Sequence, residues 1–373
     1  MTRPAAAIIG VGRTRLERRS KRSIGALAVE AALDAIADAG LSIEDIDGYV
    51  GAPGARDASA LHADGVDETS AVFMGDALGL TNAAWLVDVG DMAGGMIVAA
   101  THALIARHCR CVLAVRALYN PPDRPYSRSE IRVAAGPEQF TLPYGIGPGG
   151  GRFAHWLQRY MHDHGATRED LYEIAKLGRE NAQLNPFAIW RGTEPLAKDA
   201  YMASRWINEP MCIFDADMPI TGAAALVMTT IEGASSWSRP AALVKGYANS
   251  ANSRSLLSSC GLTPSDIQVA QIYDGYSPMV WLWLERLGFC GEGEAYKFAR
   301  GAEIRSGGKL PLNTFGGALG EGRLHGMGHL LEGALQAMGR ADRRQVKDVR
   351  NSLVQIGTPE RSWTIVLGTA ASD

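Results

Sequence analysis

One sequence pattern occurs twice, and it constrains the fold more than any other feature of the chain. The segment GLSIEDIDGYVG, from Gly40, has a counterpart in GLTPSDIQVAQIYDG, from Gly261. Each holds a glycine that ends a helix, a capped turn, an acidic residue and then an apolar strand. GDMAGGMIVAATHALI and GRLHGMGHLLEGALQAM form a second pair, in which a glycine turn opens a helix. This recurrence predicts two related halves, with functional groups where their turns meet.

Strands and helices alternate in the first half. AAIIGVG, IDGYVGA, AAWLVDV and CRCVLAVRA read as buried strands, and helical patterns lie between them. This alternation predicts an α/β architecture with a parallel sheet. After a middle region of a different character, MPITGAAALVMTT resumes as a strand.

The charge and the cysteines exclude several classes of function. The net charge of −3 gives no electrostatic support for nucleic acid or an anionic membrane as a partner. No window reaches the roughly 18 apolar residues of a transmembrane helix, and the N-terminal stretch lacks a secretion-signal pattern. The five cysteines are scattered without a C-x-x-C pair, which favours reduced thiols, no metal site and a cytoplasmic location.

Three further segments carry a family likeness. They are RYMHDHGATREDLYEIAKLGRENAQLNP, DADMPITGAAALVMT and LPLNTFGGALGEGRLHGMGH. In this order they resemble the loop domain, the DGAAA strand and the GHPxG segment of the thiolase superfamily. The resemblance is to the sterol-carrier-protein-x thiolases and their bacterial lipid-transfer-protein relatives.

The resemblance and the internal repeat together imply an α/β thiolase fold with two pseudo-symmetric βαβαβαββ halves in a layered α-β-α-β-α arrangement. The first half is expected over residues 1–117 and 212–235, and the second over 238–373. The region 118–211 is expected to form an inserted loop domain. It holds proline- and glycine-rich loops and two helices, the second opened by Thr167 and Asp170 as a capping box.

The chain departs from thiolases at the residues of the reaction. Met92 in MAGG stands where a thiolase has its nucleophilic cysteine, and a thioether cannot form a thioester. Arg323 stands at the GHP histidine, Tyr273 at the NEAF asparagine and Gln355 at the second cysteine. These four changes exclude Claisen chemistry through an acyl-enzyme.

The altered pattern resembles the steroid side-chain aldolases, which are thiolase-like and lack the nucleophilic cysteine. YDGYSP matches their YDxF-like motif at Tyr273, and their HG turn is present at His325–Gly326. Their second tyrosine is replaced here by Arg323. The resemblance implies retro-aldol cleavage of a β-hydroxyacyl-CoA, such as a steroid or bile-acid derivative, to a ketone or aldehyde and a short acyl-CoA. Coenzyme A is then part of the substrate and no cofactor is expected on this chain. The alternative is a catalytically silent homologue that serves as an acyl-CoA-binding or structural subunit.

Three residues are candidates for proton transfer. Tyr273 is the first, with Arg323 expected to lower its pKa so that it can act as a base. His325 is expected to assist on the enolate side, since an ordinary histidine titrates near neutral pH. The competing interpretations are a packing tyrosine, a structural histidine, and an arginine that binds a CoA phosphate or substrate carboxylate or pairs with Glu321.

Three more residues are candidates for binding. The alignment with thiolases implies that the backbone N–H groups of Met92 and Gly357 form an oxyanion hole. Asp274 either contacts the substrate or anchors its loop, and the sequence favours the anchor.

The resemblance also implies two kinds of partner. Thiolase-like folds commonly pair through an edge strand of the first half, which predicts a homodimer. The steroid aldolases work with a small acyl-CoA-binding subunit built from a zinc ribbon and an OB-fold, so a heterotetramer is expected.

Overall fold

The computed structural model describes residues 6–53, 69–90, 92–120, 134–146, 150–235, 237, 239–249 and 252–369. Its strands are β1 (Ala6–Arg13), β2 (Gly48–Gly51), β3 (Trp85–Asp88), β4 (Cys111–Leu118), β5 (Trp206–Asn208), β6 (Met211–Cys212), β7 (Gly222–Thr229), β8 (Ala242–Asn249), β9 (Val269–Ile272), β10 (Asn351–Thr358) and β11 (Arg361–Thr369). Its α-helices are α1 (Ile24–Asp38), α2 (Ala71–Leu78), α3 (Ala93–Ile105), α4 (Gly150–His164), α5 (Arg168–Ala182), α6 (Lys198–Met202), α7 (Ile231–Ser235), α8 (Ser253–Ser259), α9 (Ser277–Arg286), α10 (Ala295–Arg300), α11 (Gly317–Gly320) and α12 (Met327–Ala337). Within these ranges, no helix is both long and apolar enough to cross a bilayer.

The two halves meet in one nine-stranded sheet of order β3-β2-β4-β7-β1-β8-β11-β10-β9. β1 pairs antiparallel with β8, and the central pair is Ala7 opposite Leu243. Reading outward from this seam, β7, β4 and β2 on one side correspond to β11, β10 and β9 on the other. The counterpart of β3 is reduced to a parallel bridge between Ala270 and Leu312. The prediction of two pseudo-symmetric halves is confirmed, whereas the boundaries given above for the three regions stay a prediction.

The expectation of a parallel sheet is wrong for part of the first half. β2 runs parallel to β3 and to β4, as helical crossovers require. β7 runs antiparallel to both β4 and β1. The chain leaves the sheet at the end of β4 and re-enters at the same end after the loop region, so β7 must point the opposite way.

The layers follow from the alternation of strand side chains. One face of the first half packs on α1 and α2. The opposite face, together with the facing side of the second half, packs on α3 and α12. The outer face of the second half packs on α9. The strands β2, β4, β7 and β9 are thus buried along their whole length, and the layers follow the α-β-α-β-α order.

The repeated capped turns are built alike. Before β2, the backbone N–H of Ser42 donates to Asp45 Oδ2 at 2.8 Å. Before β9, the N–H of Thr263 donates to Asp266 Oδ2 at 2.8 Å. The two turns feed equivalent strands, so the sequence repeat is a structural repeat.

A buried carboxylate ties the loop region to both halves. Glu321, fully buried after α11, forms an ion pair with Arg13 of β1. Asn185 Nδ2 donates to Glu321 Oε1 at 2.7 Å, and the Ile189 N–H donates to the Glu321 carbonyl at 2.9 Å. The alternative that Glu321 pairs with Arg323 is therefore wrong: among the described residues, Glu321 forms its ion pair with Arg13, and Arg323 forms its own with Asp217.

Replacing this carboxylate should weaken the whole fold. Glu321→Gln leaves the Arg13 guanidinium buried without its counter-charge, so the free energy of unfolding should fall by about 3–5 kcal/mol. Urea denaturation followed by circular dichroism measures this change. Glu44→Gln, at an exposed position of the turn before β2, is the control and should change stability by less than about 0.5 kcal/mol. Equal midpoints for the two variants would contradict the role given to the ion pair.

Candidate functional site

The two glycine turns of the repeat meet at the N-terminus of α3. Met92 is the N-cap of this helix, and the next backbone N–H, that of Ala93, donates to the His325 carbonyl at 3.3 Å. His325 lies on the corresponding turn of the second half, just before α12. The predicted meeting of the two turns is confirmed, and it places Met92 and His325 side by side.

His325 is held as a neutral imidazole. Arg116 Nη2 lies 2.6 Å from His325 Nδ1. Burial lowers the pKa of His325 well below its ordinary value, and the charges of Arg116 and Arg323 lower it further. A guanidinium can only donate hydrogen bonds, so Nδ1 accepts and the ring proton is on Nε2. The expectation that His325 takes up and releases a proton near neutral pH is therefore wrong; it is a fixed donor.

Tyr273 follows β9 and is 6% exposed. Its backbone N–H donates to the Gln355 carbonyl at 3.0 Å, which aligns the loop with β10. Burial raises the pKa of Tyr273 well above its ordinary value, and the charges of Asp217 and Asp274 raise it further.

The expected influence of Arg323 on Tyr273 is wrong. The cation that opposes the rise in the pKa of Tyr273 is Arg116, and the carboxylates outweigh it. Arg323 instead faces Asp217, with 4.0 Å between Nε and Oδ2. Tyr273 thus remains a protonated phenol, and a free phenolate base is not available.

Asp217 lies between the loop of Tyr273 and the turn of Arg323. Its backbone N–H donates to the Gly275 carbonyl at 3.0 Å, which holds it beside the Tyr273 loop. Burial, followed by the charge of Asp274, raises the pKa of Asp217 well above the ordinary value of an aspartate. A carboxylate with a raised pKa is a stronger base than an ordinary one.

Asp274 is an anchor in this structure. Its Oδ1 accepts the Ala318 N–H at 2.6 Å and lies 3.1 Å from His329 Nε2. Its Oδ2 accepts the Leu319 N–H at 3.3 Å. A side chain at Gly317 would place its Cβ 2.0 Å from Asp274 Oδ2, so only glycine allows this approach. Both oxygens bind backbone N–H groups of α11 itself, so Asp274 anchors its loop, which is the interpretation that the sequence favours.

The two predicted oxyanion residues lie on adjoining elements. A Cβ on Gly94, two residues after Met92, would lie 2.6 Å from Trp363 Cβ. Trp363 pairs in β11 with Ile356, the neighbour of Gly357. Gly357 has φ +102° and its carbonyl accepts the Trp283 indole N–H at 3.2 Å. Their roles as N–H donors stay a prediction.

The sequence interpretation missed three residues of this site. Arg116, Asp217 and Tyr276 all influence the charge around Tyr273. Tyr276 packs on Phe153 with 5.3 Å between ring centroids, and burial, with the charge of Asp217, raises its pKa to about 12. One signal was readable in advance: Arg116 is the single charged residue of the buried strand CVLAVRAL, and a buried charge demands specific partners.

Comparisons with known proteins agree with the geometry. A family model described as thiolase C-terminal domain-like matches residues 231–369. The chain is 31% identical to the 17-hydroxy-3-oxo-4-pregnene-20-carboxyl-CoA lyase of Mycobacterium tuberculosis, over 97% of this chain and 99% of that protein. It is 32% identical to the steroid side-chain-cleaving aldolase of Thermomonospora curvata, over 98% of each. The solved structure of an Ltp2-ChsH2(DUF35) aldolase superposes with a TM-score of 0.87 at 32% identity, and the match covers all of both chains.

These similarities run through both halves and the loop region between them, so they include every residue of the site described above. The match is therefore to whole proteins and not to a shared domain. The chain belongs to the thiolase superfamily and, within it, to the steroid side-chain-cleaving aldolases.

Proposed function

We propose that this chain cleaves a β-hydroxyacyl-CoA by a retro-aldol reaction and releases a ketone or aldehyde and a short acyl-CoA. One observation carries this proposal. The site keeps a neutral donor, His325, beside the start of α3 but has Met92 where an acyl-enzyme would need a thiolate. A thioester enolate needs donors, whereas it needs no nucleophile.

The substrate we propose is a CoA ester of a steroid or bile-acid side chain. Two relatives support this choice, because one is named as a lyase of a pregnene carboxyl-CoA and the other as a steroid side-chain-cleaving aldolase. Coenzyme A enters as part of the substrate, and the reaction as written calls for no separate cofactor.

The first proton moves through Tyr273. Because the pKa of Tyr273 is raised, the phenol acts as a relay: it takes the β-hydroxyl proton while passing its own to Asp217. The oxygen left behind becomes the carbonyl of the ketone, the Cα–Cβ bond breaks, and its electron pair forms the thioester enolate. The raised pKa of Asp217 suits it as the acceptor.

The enolate then collapses to product. His325 Nε2–H, with the backbone N–H groups of Met92 and Gly357, stabilises the enolate oxygen. The proton held by Asp217 returns through Tyr273 to the α-carbon, so the reaction has no net gain or loss of protons.

The assembly we propose is a homodimer that binds two copies of a small zinc-ribbon and OB-fold subunit. β3 is an outer strand of the sheet and pairs only with β2 among the described strands. Its Leu86 is 38% exposed, and Val72 on the adjacent α2 is 74% exposed. This edge can continue the sheet into a second copy across a two-fold axis.

The name of the Ltp2-ChsH2(DUF35) structure supports a second, different subunit as a partner of this chain.

Removing the hydroxyl of Tyr273 should distinguish a catalytic role of this side chain from a packing role. Tyr273→Phe keeps the ring and removes the relay, so kcat/KM should fall by about a hundredfold or more with little change in Tm. Release of ketone and short acyl-CoA from a steroid β-hydroxyacyl-CoA measures the rate, with the partner subunit present. Met92→Ala is the control within the site and should be far milder, since Met92 has no ionisable group.

Two outcomes would contradict this assignment. Full activity in Tyr273→Phe would show that the hydroxyl only packs. No cleavage of any β-hydroxyacyl-CoA by the complete complex would favour a silent subunit instead.

The pH profile should reveal Asp217. Asp217 must be ionised to accept the proton, so activity is lost as the pH falls through its raised pKa. The acid limb of kcat/KM should therefore lie above the ordinary carboxylate range near pH 4. Asp217→Asn should remove this limb and lower kcat/KM by about a hundredfold or more. The exposed Asp199→Asn is the control, and an identical limb in Asp217→Asn would exclude Asp217 as the acceptor.

A charge on the β3 edge should break the homodimer. Leu86→Lys places an ammonium group beside the exposed Val72 at this edge. The variant should therefore sediment as a monomer at micromolar concentration, whereas the wild type should sediment as a dimer. Leu33→Lys, at a similarly exposed position on α1 (41%), should remain dimeric. A wild-type protein that sediments as a monomer would overturn the proposal.

A further inference from the structure

Arg116 occupies an unusual place for a charge. It lies in β4, where the other seven residues are apolar, and is 4% exposed. Its strand neighbours on either side are β2 and β7, so its backbone is at the centre of the first half-sheet. A guanidinium in such a place is strongly destabilising unless its donors are used.

The ends of the guanidinium are used in two different ways. Nη1 donates to the Ala52 carbonyl at 2.7 Å, just after β2. Nη2 lies 2.6 Å from His325 Nδ1. The first contact fixes where the guanidinium lies, and the second transmits that position to the imidazole across the boundary between the two halves.

The second contact has a chemical consequence. A guanidinium offers five N–H donors and no acceptor, and it does not lose its proton in proteins. His325 Nδ1 must therefore present its lone pair, which leaves the only ring proton on Nε2. An imidazole free of this contact could exchange tautomers or bind a second proton, and either change would remove the donor or alter its charge.

We propose that Arg116 is the positioning residue that locks His325 in its Nε2–H neutral form and so aims a permanent, uncharged donor at the thioester oxygen. Arg116 itself need not touch the substrate. The catalytic consequence rests on the proposed retro-aldol function, whereas the state of the ring does not.

The charges around His325 agree with this role. Among the residues that the structure describes, the charged groups that influence the pKa of His325 are Arg116, from β4, and Arg323, from its own turn, and both are cations. The N-terminus of α3, which packs against the same turn, adds a further partial positive charge. All three oppose a second proton on the ring, so the enolate meets a hydrogen-bond donor and not an acid.

The test is nitrogen NMR of the protein labelled with ¹⁵N-histidine, with His325→Asn used to assign the His325 signals. In the wild type, we expect Nδ1 to appear unprotonated and Nε2 protonated, without titration between about pH 5 and 8, although an ordinary histidine titrates near 6.5. A protonated Nδ1, or a His325 that titrates in this range, would overturn the proposal, and this readout needs no Arg116 variant to fold.

Two variants at Arg116 extend the test. Arg116→Met has no donor, so His325 should show mixed tautomers or begin to titrate. Its kcat should fall by about a hundredfold, the usual cost of losing one oxyanion donor, with little change in KM. Arg116→Lys, also donor-only, should keep the Nε2–H tautomer and more of the activity than Arg116→Met. Identical ring signals in Arg116→Met and the wild type would show that Arg116 does not position the histidine.

The two proposals fail separately. If the ring is in the expected state but no β-hydroxyacyl-CoA is cleaved, the proposed function is wrong and the inference on Arg116 stands. If cleavage occurs with a different ring state, the inference is wrong and the function stands.

Discussion

The antiparallel pairing of β1 with β8 is the contact on which the rest of the structure depends. It joins two half-sheets that each carry helices on both faces, and it brings α3 and α12 into one shared layer. Both helices start at the same place, so the turn at Met92 and the turn at His325 touch. The site exists because two copies of one pattern are placed back to back. A single half would have only one of its turns.

Electrostatics in the site follow from burial. Burial is the largest cause that keeps both His325 and Tyr273 neutral. Two cations add to it at the imidazole, and at the phenol two carboxylates add to it and outweigh the opposing charge of Arg116. In a low-dielectric environment such charges act strongly. The chemistry is therefore arranged around fixed donors and a relay, which suits an enolate that forms and disappears without a covalent enzyme intermediate.

The positions of the site residues are set by buried groups that take no part in the proposed reaction. Asp274 binds two backbone N–H groups of α11 and the ring of His329 in α12, and thereby holds the Tyr273 loop against these two helices. The Glu321–Arg13 pair fastens the loop region across the seam. Both carboxylates are buried and both depend on glycine neighbours, since a Cβ at Gly317 or Gly328 would collide with them. The glycines at these two positions thus allow the carboxylates of Asp274 and Glu321 to approach the backbone closely.

Much of this protein could be predicted from its sequence, and the remainder could not, for one physical reason. Periodicity, caps and the internal repeat are local patterns, and they determined the elements and the two halves. The loss of the nucleophile at Met92 and the place of Tyr273 came from the resemblance to thiolases and aldolases. The resemblance to thiolases supplied the layered fold. Strand direction in the mixed sheet and the charge state of the site depend on distances between residues far apart in the chain. Arg116 and His325 are separated by 209 positions, and no local pattern records that they meet. The sequence therefore indicated Met92, Tyr273 and His325 as candidates, whereas only the tertiary structure added Arg116 and Asp217 and decided which groups carry a proton.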